Sequence, residues 1–304
     1  MKIALIHNPE AFRAEADGNH ARRIFERAGH HVTYVSTMES NWQRAISPEI
    51  ARAIIMGGDG TVQLAAPHLR GTPFSILPSG TANNIAHCLR QTADIELLAA
   101  QLEQAEVCRL DLGKASSGLE RKAFLETTGL GVFAELILAM QHWPQNAKME
   151  RAESREEKFA HALKQLQAIS REYQGIALQL KADHQAIRDR FLLLAVMNME
   201  LIGPRLPLAP QADPGDGFLD LVYVRVTDRD NLCRWLEGQS SGRNDGAPFE
   251  RRRCRRIEIG APNDALLHID SHLMQKPEFP VIFEIEPGAL EYSVTAAKAG
   301  SHSS

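Results

Sequence analysis

No apolar run in the sequence approaches the eighteen or so residues that a membrane-spanning helix needs. A transmembrane segment is therefore not expected. The apolar start of the chain, Ile3 to Ile6, is too short for a secretory leader and ends at the turn signal Asn8-Pro9, so it reads as a first strand of a cytoplasmic protein. Cysteine is also scarce: Cys88, Cys108, Cys233 and Cys254 are the four present, and none is spaced for zinc or for a disulfide framework. Reduced thiols are the simplest account. A basic excess is missing too, because 34 Lys and Arg stand against 38 Asp and Glu, a formal net charge of −4. Duplex binding relies on cations that displace counterions from many phosphates, so a general nucleic-acid binder is disfavoured. Neither an internal repeat nor a low-complexity block interrupts the chain. Its length and its hydrophobic and charged fractions are those of an enzyme-sized globular protein with room for two cores.

What is present begins with two glycine-centred segments, Gly57-Gly58-Asp59-Gly60-Thr61 and Ser79-Gly80-Thr81-Ala82-Asn83-Asn84. Each follows an apolar run that reads as a buried strand, Ala53–Met56 and Phe74–Leu77, and each precedes a helix-like stretch. Flexible backbone is thereby placed at the carboxyl ends of parallel strands, where open α/β sheets bind ligands. Glycine lets main-chain N–H groups approach a phosphate with no Cβ in the way, and Asp59 offers the hard oxygen that Mg²⁺ prefers. Either segment alone is equally a tight β-to-α turn. Two on neighbouring strands, each with threonine after glycine, favour phosphate binding.

To about residue 110 strands and helices alternate: Ile3–His7, a helix around Ala21–Ala28 stopped by Gly29, His31–Ser36, Trp42–Ile46, Ala53–Met56, Val62–His68, Phe74–Leu77, Ala82–Arg90 and Ile95–Ala105. Such alternation implies a parallel sheet covered on both faces. Beyond Gly113 the pattern becomes strands joined by turns. The expected strands are Lys122–Thr127, Ile176–Leu180, Phe191–Asn198, Phe218–Val226, Arg256–Ile259, Leu266–Ile269 and Val281–Ile285. One helix interrupts them, Glu156–Tyr173, with Phe159, Leu163, Leu166 and Ile169 at helical spacing, and it reads as a sheet cover. Gly238–Pro248 is expected as a mobile loop and Ala296–Ser304 as a frayed end. Gly129-Leu130-Gly131-Val132-Phe133-Ala134 fits a dinucleotide fingerprint, but it lies among strands with no clean β-α-β unit, and it reads as a turn.

With these segments in place the chain resembles the diacylglycerol kinase catalytic family, which includes sphingoid-base and bacterial lipid kinases. The resemblance runs nearly end to end and is most specific at Gly57–Thr61 and at Leu77-Pro78-Ser79-Gly80-Thr81-Ala82-Asn83-Asn84-Ile85-Ala86. Asn8-Pro9, Leu110-Asp111-Leu112-Gly113, Gly129-Leu130-Gly131 and Asp216-Gly217-Phe218-Leu219-Asp220 support it. NAD kinases and phosphofructokinases share only the first loop. The resemblance implies an α/β chain: a Rossmann-like parallel-sheet nucleotide domain over 1–113, a β-sandwich-like lipid-substrate domain over 114–290, a tail over 291–304, and a cleft between the domains as the active site. It implies ATP as donor, a lipid hydroxyl as acceptor and a place at the membrane periphery; a homodimer is left open. Gly57, Gly58, Gly60, Thr61, Ser79 and Gly80 would cradle phosphates, and Asn8, Thr81 and Asn83 would contact the nucleotide. Asp59 and Asp111 would hold Mg²⁺, while the Asp216 carboxylate and the Phe218 carbonyl match a second, structural Mg²⁺ site. Pro214–Gly217 reads equally as a hairpin turn.

Two departures from the family pattern bear on catalysis. Where the family has Asp-Gly-Glu on a late strand, this chain has Asp270-Ser271-His272. Asp270 remains as the proton acceptor, and His272 is either a replacement base, as a neutral imidazole can be near pH 7, or an ordinary surface residue. Asn84 stands where Asp is common, and an N-cap role suits it. The alternatives are thus a nucleotide- or lipid-binding homologue with little turnover, and a soluble-substrate kinase akin to NAD kinases. The cluster Arg251-Arg252-Arg253 with Arg255-Arg256 is either a contact for anionic headgroups or a solvated strand start.

Overall fold

The computed structural model describes residues 1–9, 18–141, 154–241, 243 and 246–295. They form two compact units, Met1–Leu110 with Ala289–Thr295, and Asp111–Gly288.

In the first unit, β1 (Lys2–His7), β2 (His31–Ser36), β3 (Arg52–Gly57) and β4 (Phe74–Pro78) form a parallel sheet in the order β2-β1-β3-β4. The central strands are unbroken apolar runs, and Ile3–Ile6, Ala53–Met56 and Phe74–Leu77 are all buried, apart from Ser75 with no polar side chain among them. That pattern belongs to strands covered on both faces. β2 is the edge strand, and half of its residues are exposed. Helix α1 (Gly18–Arg27) lays Ala21, Ile24 and Phe25 on Ile3 and Leu5, and α4 (Ile95–Gln101) adds Leu98 and Ala99 to the same core. Two short helices follow the glycine segments, α2 (Asp59–Ala65) after β3 and α3 (Asn84–Cys88) after β4.

The second unit carries β5 (Glu106–Ser117, entering from the first unit), β6 (Glu120–Phe124), β7 (Thr127–Gly131), α5 (Val132–Gln141), α6 (Arg155–Glu172), β8 (Ile176–Ala182), β9 (Gln185–Met197), β10 (Leu201–Ile202) and β11 (Leu206–Pro207). After these come β12 (Leu219–Arg225), α7 (Arg229–Ser241), β13 (Glu250–Cys254), β14 (Arg256–Gly260), β15 (Leu267–Ile269), β16 (His272–Leu273) and β17 (Val281–Val294). Antiparallel pairing runs β16-β15-β7-β9-β8-β14-β17, and β12 lies between β9 and β13. The unit is β-sandwich-like. β9 shows why it holds together: Phe191, Leu194 and Val196 enter one apolar core with Tyr223 and Phe283, while Leu192, Leu193, Ala195 and Met197 enter a second under the helices with Phe133, Leu166 and Trp235. Side chains of one strand thus feed two cores, alternating from Leu193 to Met197 and broken at the irregularity beside Leu192, where the β9–β12 register shifts.

Several sequence expectations are corrected here. Gly129-Leu130-Gly131 is not a turn but strand β7, because a Cβ on Gly129 would lie 2.1 Å from the Leu194 carbonyl oxygen across the β7–β9 pair. Glycine permits that approach. The strand expected over Lys122–Thr127 is broken between β6 and β7. Helix α5 and helix α7 were not anticipated; Gly238–Ser241, assigned to a loop, closes α7, and residues 242, 244 and 245 of that loop lie outside the described residues. β17 continues to Val294, with Tyr292 beside Phe74 of β4, so the segment taken as tail begins as strand. The frayed end expected over 296–304 lies outside the described residues. Among the described residues, no helix is long and apolar enough to cross a membrane.

Candidate active site

Parallel register sets the glycine segments side by side. His7 pairs with Met56, Met56 with Leu77 and Gly57 with Pro78, so Asn8, Gly58 and Ser79 emerge at the same carboxyl edge of the sheet. The Ser79 amide donates to the Gly57 carbonyl at 3.0 Å, which carries the pairing one step past the strands. Gly58 and Gly80 then meet: a Cβ on Gly80 would come within 2.4 Å of the Gly58 Cα. Thr61 folds back over Gly57, where a Cβ would meet its side chain at 2.4 Å. Gly60 is exposed, with open space where a Cβ would stand. Asn8, Ser79 and Thr81 are half-buried at the same edge.

Two side chains fix the second segment. Asn83 accepts from the Gly80 amide through Oδ1 and donates to the Gly80 carbonyl through Nδ2, each at 2.9 Å, a closed pair that uses both ends of the amide. Asp59, in the first turn of α2, accepts from the Ile85 amide at 3.0 Å and so ties the first segment to α3. Asn83 takes the left-handed conformation, with φ of 52°, and is itself the residue before α3. The N-cap role expected for Asn84 is therefore not found; Asn84 is the first helical residue and is buried.

In the second unit Asp270 opens the two-residue turn between β15 and β16, with φ of 49°. Its carboxylate accepts three backbone amides, Leu125 at 3.0 Å, Glu126 at 2.9 Å and Thr127 at 3.1 Å. His272, two residues on, is exposed, with Nδ1 3.2 Å from the Ser271 hydroxyl. Asp111 has no exposed surface, and its oxygens accept the amides of Gly217 and Gly288, each at 2.6 Å. Burial pushes its carboxyl above the usual range, the two amides pull it back, and the nearby charges of Asp216 and Asp213 add to the rise. Asp216 accepts from the Phe218 amide at 2.9 Å and pairs with Arg253 at 2.5 Å.

Three polar residues around this loop system were not singled out by the sequence. Asn198 donates to the carbonyls of Asp111 and Leu125, joining strand β5 to the link between β6 and β7 that holds Asp270. Its signal was an amide closing a long buried run. His268 is buried, donates through Nδ1 to the Asp270 carbonyl at 3.0 Å, and leaves Nε2 without a partner. Burial lowers its pKa to about 4, so the ring is neutral near pH 7. Glu126 is a buried acid whose amide faces Asp270.

The arginine cluster is largely paired within the chain. Arg251 holds Asp220 and Gln211, Arg252 holds Gln185, Arg253 holds Asp216 and Arg256 holds Glu284. Arg255 lies over the Phe218 ring, 4.7 Å from its centroid. Among the described residues, no three His, Cys, Asp or Glu side chains converge as a ready-made metal site.

Comparison with known proteins matches both units. Residues 2–115 fit the family described as the diacylglycerol kinase catalytic domain, and residues 144–294 fit the YegS C-terminal NAD kinase beta sandwich-like domain. A Pectobacterium atrosepticum protein described as "Probable lipid kinase YegS-like" is 26% identical over 82% of this chain and 79% of its own length. A diacylglycerol kinase of Staphylococcus saprophyticus is 20% identical over 81% of this chain and 78% of its own length. A crystal structure of a diacylglycerol kinase from Bacillus anthracis shares the fold, with a TM-score of 0.69 and 18% identity over 98% of this chain and 97% of that one. Residues 2–115 thus carry the diacylglycerol kinase catalytic domain and residues 144–294 the YegS C-terminal domain, so along most of its length the chain is similar to the lipid kinases that combine them.

Proposed function

We propose that the protein is a lipid kinase that uses ATP and Mg²⁺ to phosphorylate a lipid hydroxyl at a membrane surface. The observation that carries this reading is the contact of Gly58 with Gly80, which brings two sets of main-chain amides together at the carboxyl edge of a parallel sheet. Amides of Gly57–Thr61 and Ser79–Thr81 receive the ATP phosphates, and Asn8, Thr81 and Asn83 contact the rest of the nucleotide. Because Asn83 is closed on Gly80, its main job is to hold that loop in shape.

The residues suit a phosphate-bound cation at one place. Asp59 sits in the first turn after the Gly57-Gly58 segment and would hold Mg²⁺ directly or through water, with Oδ1 steadied by the Ile85 amide. When bound, the ion offsets charge on the transferred phosphoryl group. Asp111 is fully buried with both oxygens on amides, which suits a brace of the 213–217 loop better than an open ligand. Asp270 would take the proton of the acceptor hydroxyl while held in place by the amides of Leu125–Thr127, and exposed His272 would relay it to solvent. Most of the rate would come from positioning and charge stabilisation.

Incubation with γ-labelled ATP, Mg²⁺ and a total lipid extract tests the reading and identifies the acceptor from the labelled product. Label in a lipid supports it. ATP binding with no labelled lipid would select a binding homologue, and labelling of NAD regardless of vesicles would select a soluble-substrate kinase.

A further inference from the structure

We infer that the 213–217 loop of the second unit is held by the guanidinium of Arg253 in the place where the family resemblance puts a structural divalent cation, so that this loop is independent of metal. The inference concerns the build of the second unit and stands whether or not the chain transfers phosphate.

A divalent cation at this loop would need the Asp216 carboxylate and the Phe218 carbonyl together. Both oxygens of Asp216 are engaged in other work. Oδ1 accepts the Phe218 amide at 2.9 Å, a local turn bond, and Oδ2 accepts Nη2 of Arg253 at 2.5 Å. The second is a charge-assisted bond between full charges. Arg253 arrives on β13 from 37 residues along the chain, and β13 is registered against β12, with Cys254 opposite Leu219. The cation is therefore delivered by sheet pairing.

Phe218 adds a second reason. Arg253 and Arg255 both lie over its ring, with guanidinium carbons 4.4 and 4.7 Å from the centroid. A divalent ion at the Phe218 carbonyl would stand in the field of both, and like charges repel. What the loop does need is positive charge. Asp111, raised first by burial, also feels the charges of Asp216 and Asp213, and Arg253 pairs with Asp216 of this group. The remaining bonds are internal: the Asp213 carboxylate accepts the Gly215 amide at 3.0 Å, and Asp111 accepts the Gly217 amide.

The test uses the full chain without nucleotide and with Asp59→Asn throughout, so that a metal in the first unit does not contribute. Melting temperature is measured in EDTA and in millimolar Mg²⁺, and Mn²⁺ binding is followed by electron paramagnetic resonance. The chain with Arg253 intact should melt at the same temperature in both conditions and bind no Mn²⁺ that Asp216→Asn removes. Arg253→Met should melt lower in EDTA by roughly 3 °C and recover with Mg²⁺, because an empty cation position can then be filled by mass action. Should Arg253→Met fail to fold, Arg253→Lys keeps the charge and should remain insensitive to EDTA. A stoichiometric Mn²⁺ site in the chain with Arg253 intact, lost with Asp216→Asn, would overturn the inference. So would an Arg253→Met chain with an unaltered melt in EDTA.

Discussion

Gly58 and Gly80 touch through bare backbone: a Cβ on Gly80 would stand 2.4 Å from the Gly58 Cα, and one on Gly58 would stand 2.9 Å from the Gly80 Cα. Real Cβ contacts do not close to such distances, and the neighbour in each case is main chain that cannot rotate away. Gly80→Ala should therefore part the two segments. The expected stability loss is about 1–3 kcal/mol, the usual cost of overpacking, with a loss of ATP binding. Gly60→Ala meets open space and should change stability by less than about 0.5 kcal/mol. Equal effects from the two substitutions, read by denaturant titration and nucleotide binding, would contradict the packing argument.

Asp59 has two separable duties, a hydrogen bond to the Ile85 amide and the proposed hold on Mg²⁺. Asparagine keeps an acceptor oxygen for the first and loses the charge for the second. Asp59→Asn should fold with near wild-type stability, while Asp59→Ala should lose about 1 kcal/mol from the unmatched Ile85 amide. Both should lower phosphoryl transfer at least ~100-fold, as removal of a group that stabilises transferred charge does. Wild-type turnover by Asp59→Asn would remove the metal role.

How much of this was legible in the sequence depends on the distance over which each feature is determined. The glycine segments are local, since the residues that form each loop are adjacent, and the sheet order that sets them side by side follows from alternating strands and helices. Helix α7 was also local, with Leu232, Trp235 and Leu236 at helical spacing, but the glycine- and serine-rich stretch beginning at Gly238 masked its end. The anchoring of the Asp270 carboxylate was not legible. Its three amide partners lie 143 to 145 residues away, and only the pairing of β15 with β7 brings them to it. The same holds for Arg253: the sequence left its cluster as either a headgroup contact or a solvated strand start, and the pairing with Asp216 follows only from the pairing of β13 with β12.

His268 predicts a pH dependence of stability. Its pKa falls from 6.5 to about 4 because burial penalises the charged ring, so the unfolded chain binds a proton there that the folded one does not. The sign follows: the contribution is fully present above pH 6.5 and is lost as pH falls through the window down to about 4. Its size is on the order of 3 kcal/mol over that window. His268→Gln, which can still donate to the Asp270 carbonyl, should lose stability at pH 7.5 yet flatten the decline between pH 7 and 5. Denaturant titrations of both proteins at several pH values give the difference, in which other titrating groups cancel. Parallel curves for wild type and variant would show that the buried ring is not the cause.

His272 and Asp270 share a turn but differ in surroundings, and that difference separates catalysis from folding. His272 is exposed on a two-residue strand, so His272→Ala should leave stability within about 0.5 kcal/mol of wild type. Asp270→Asn replaces a carboxylate that accepts three amides, and an amide group holds them less well. Charged acceptors contribute more per bond than neutral ones, so this variant should lose about 1–3 kcal/mol as well as turnover. If His272 relays the proton, His272→Ala should be slower than wild type and should have a different pH–rate profile. An unchanged pH–rate profile in His272→Ala would leave Asp270 as the sole acceptor. The missing family glutamate would then have no counterpart in His272.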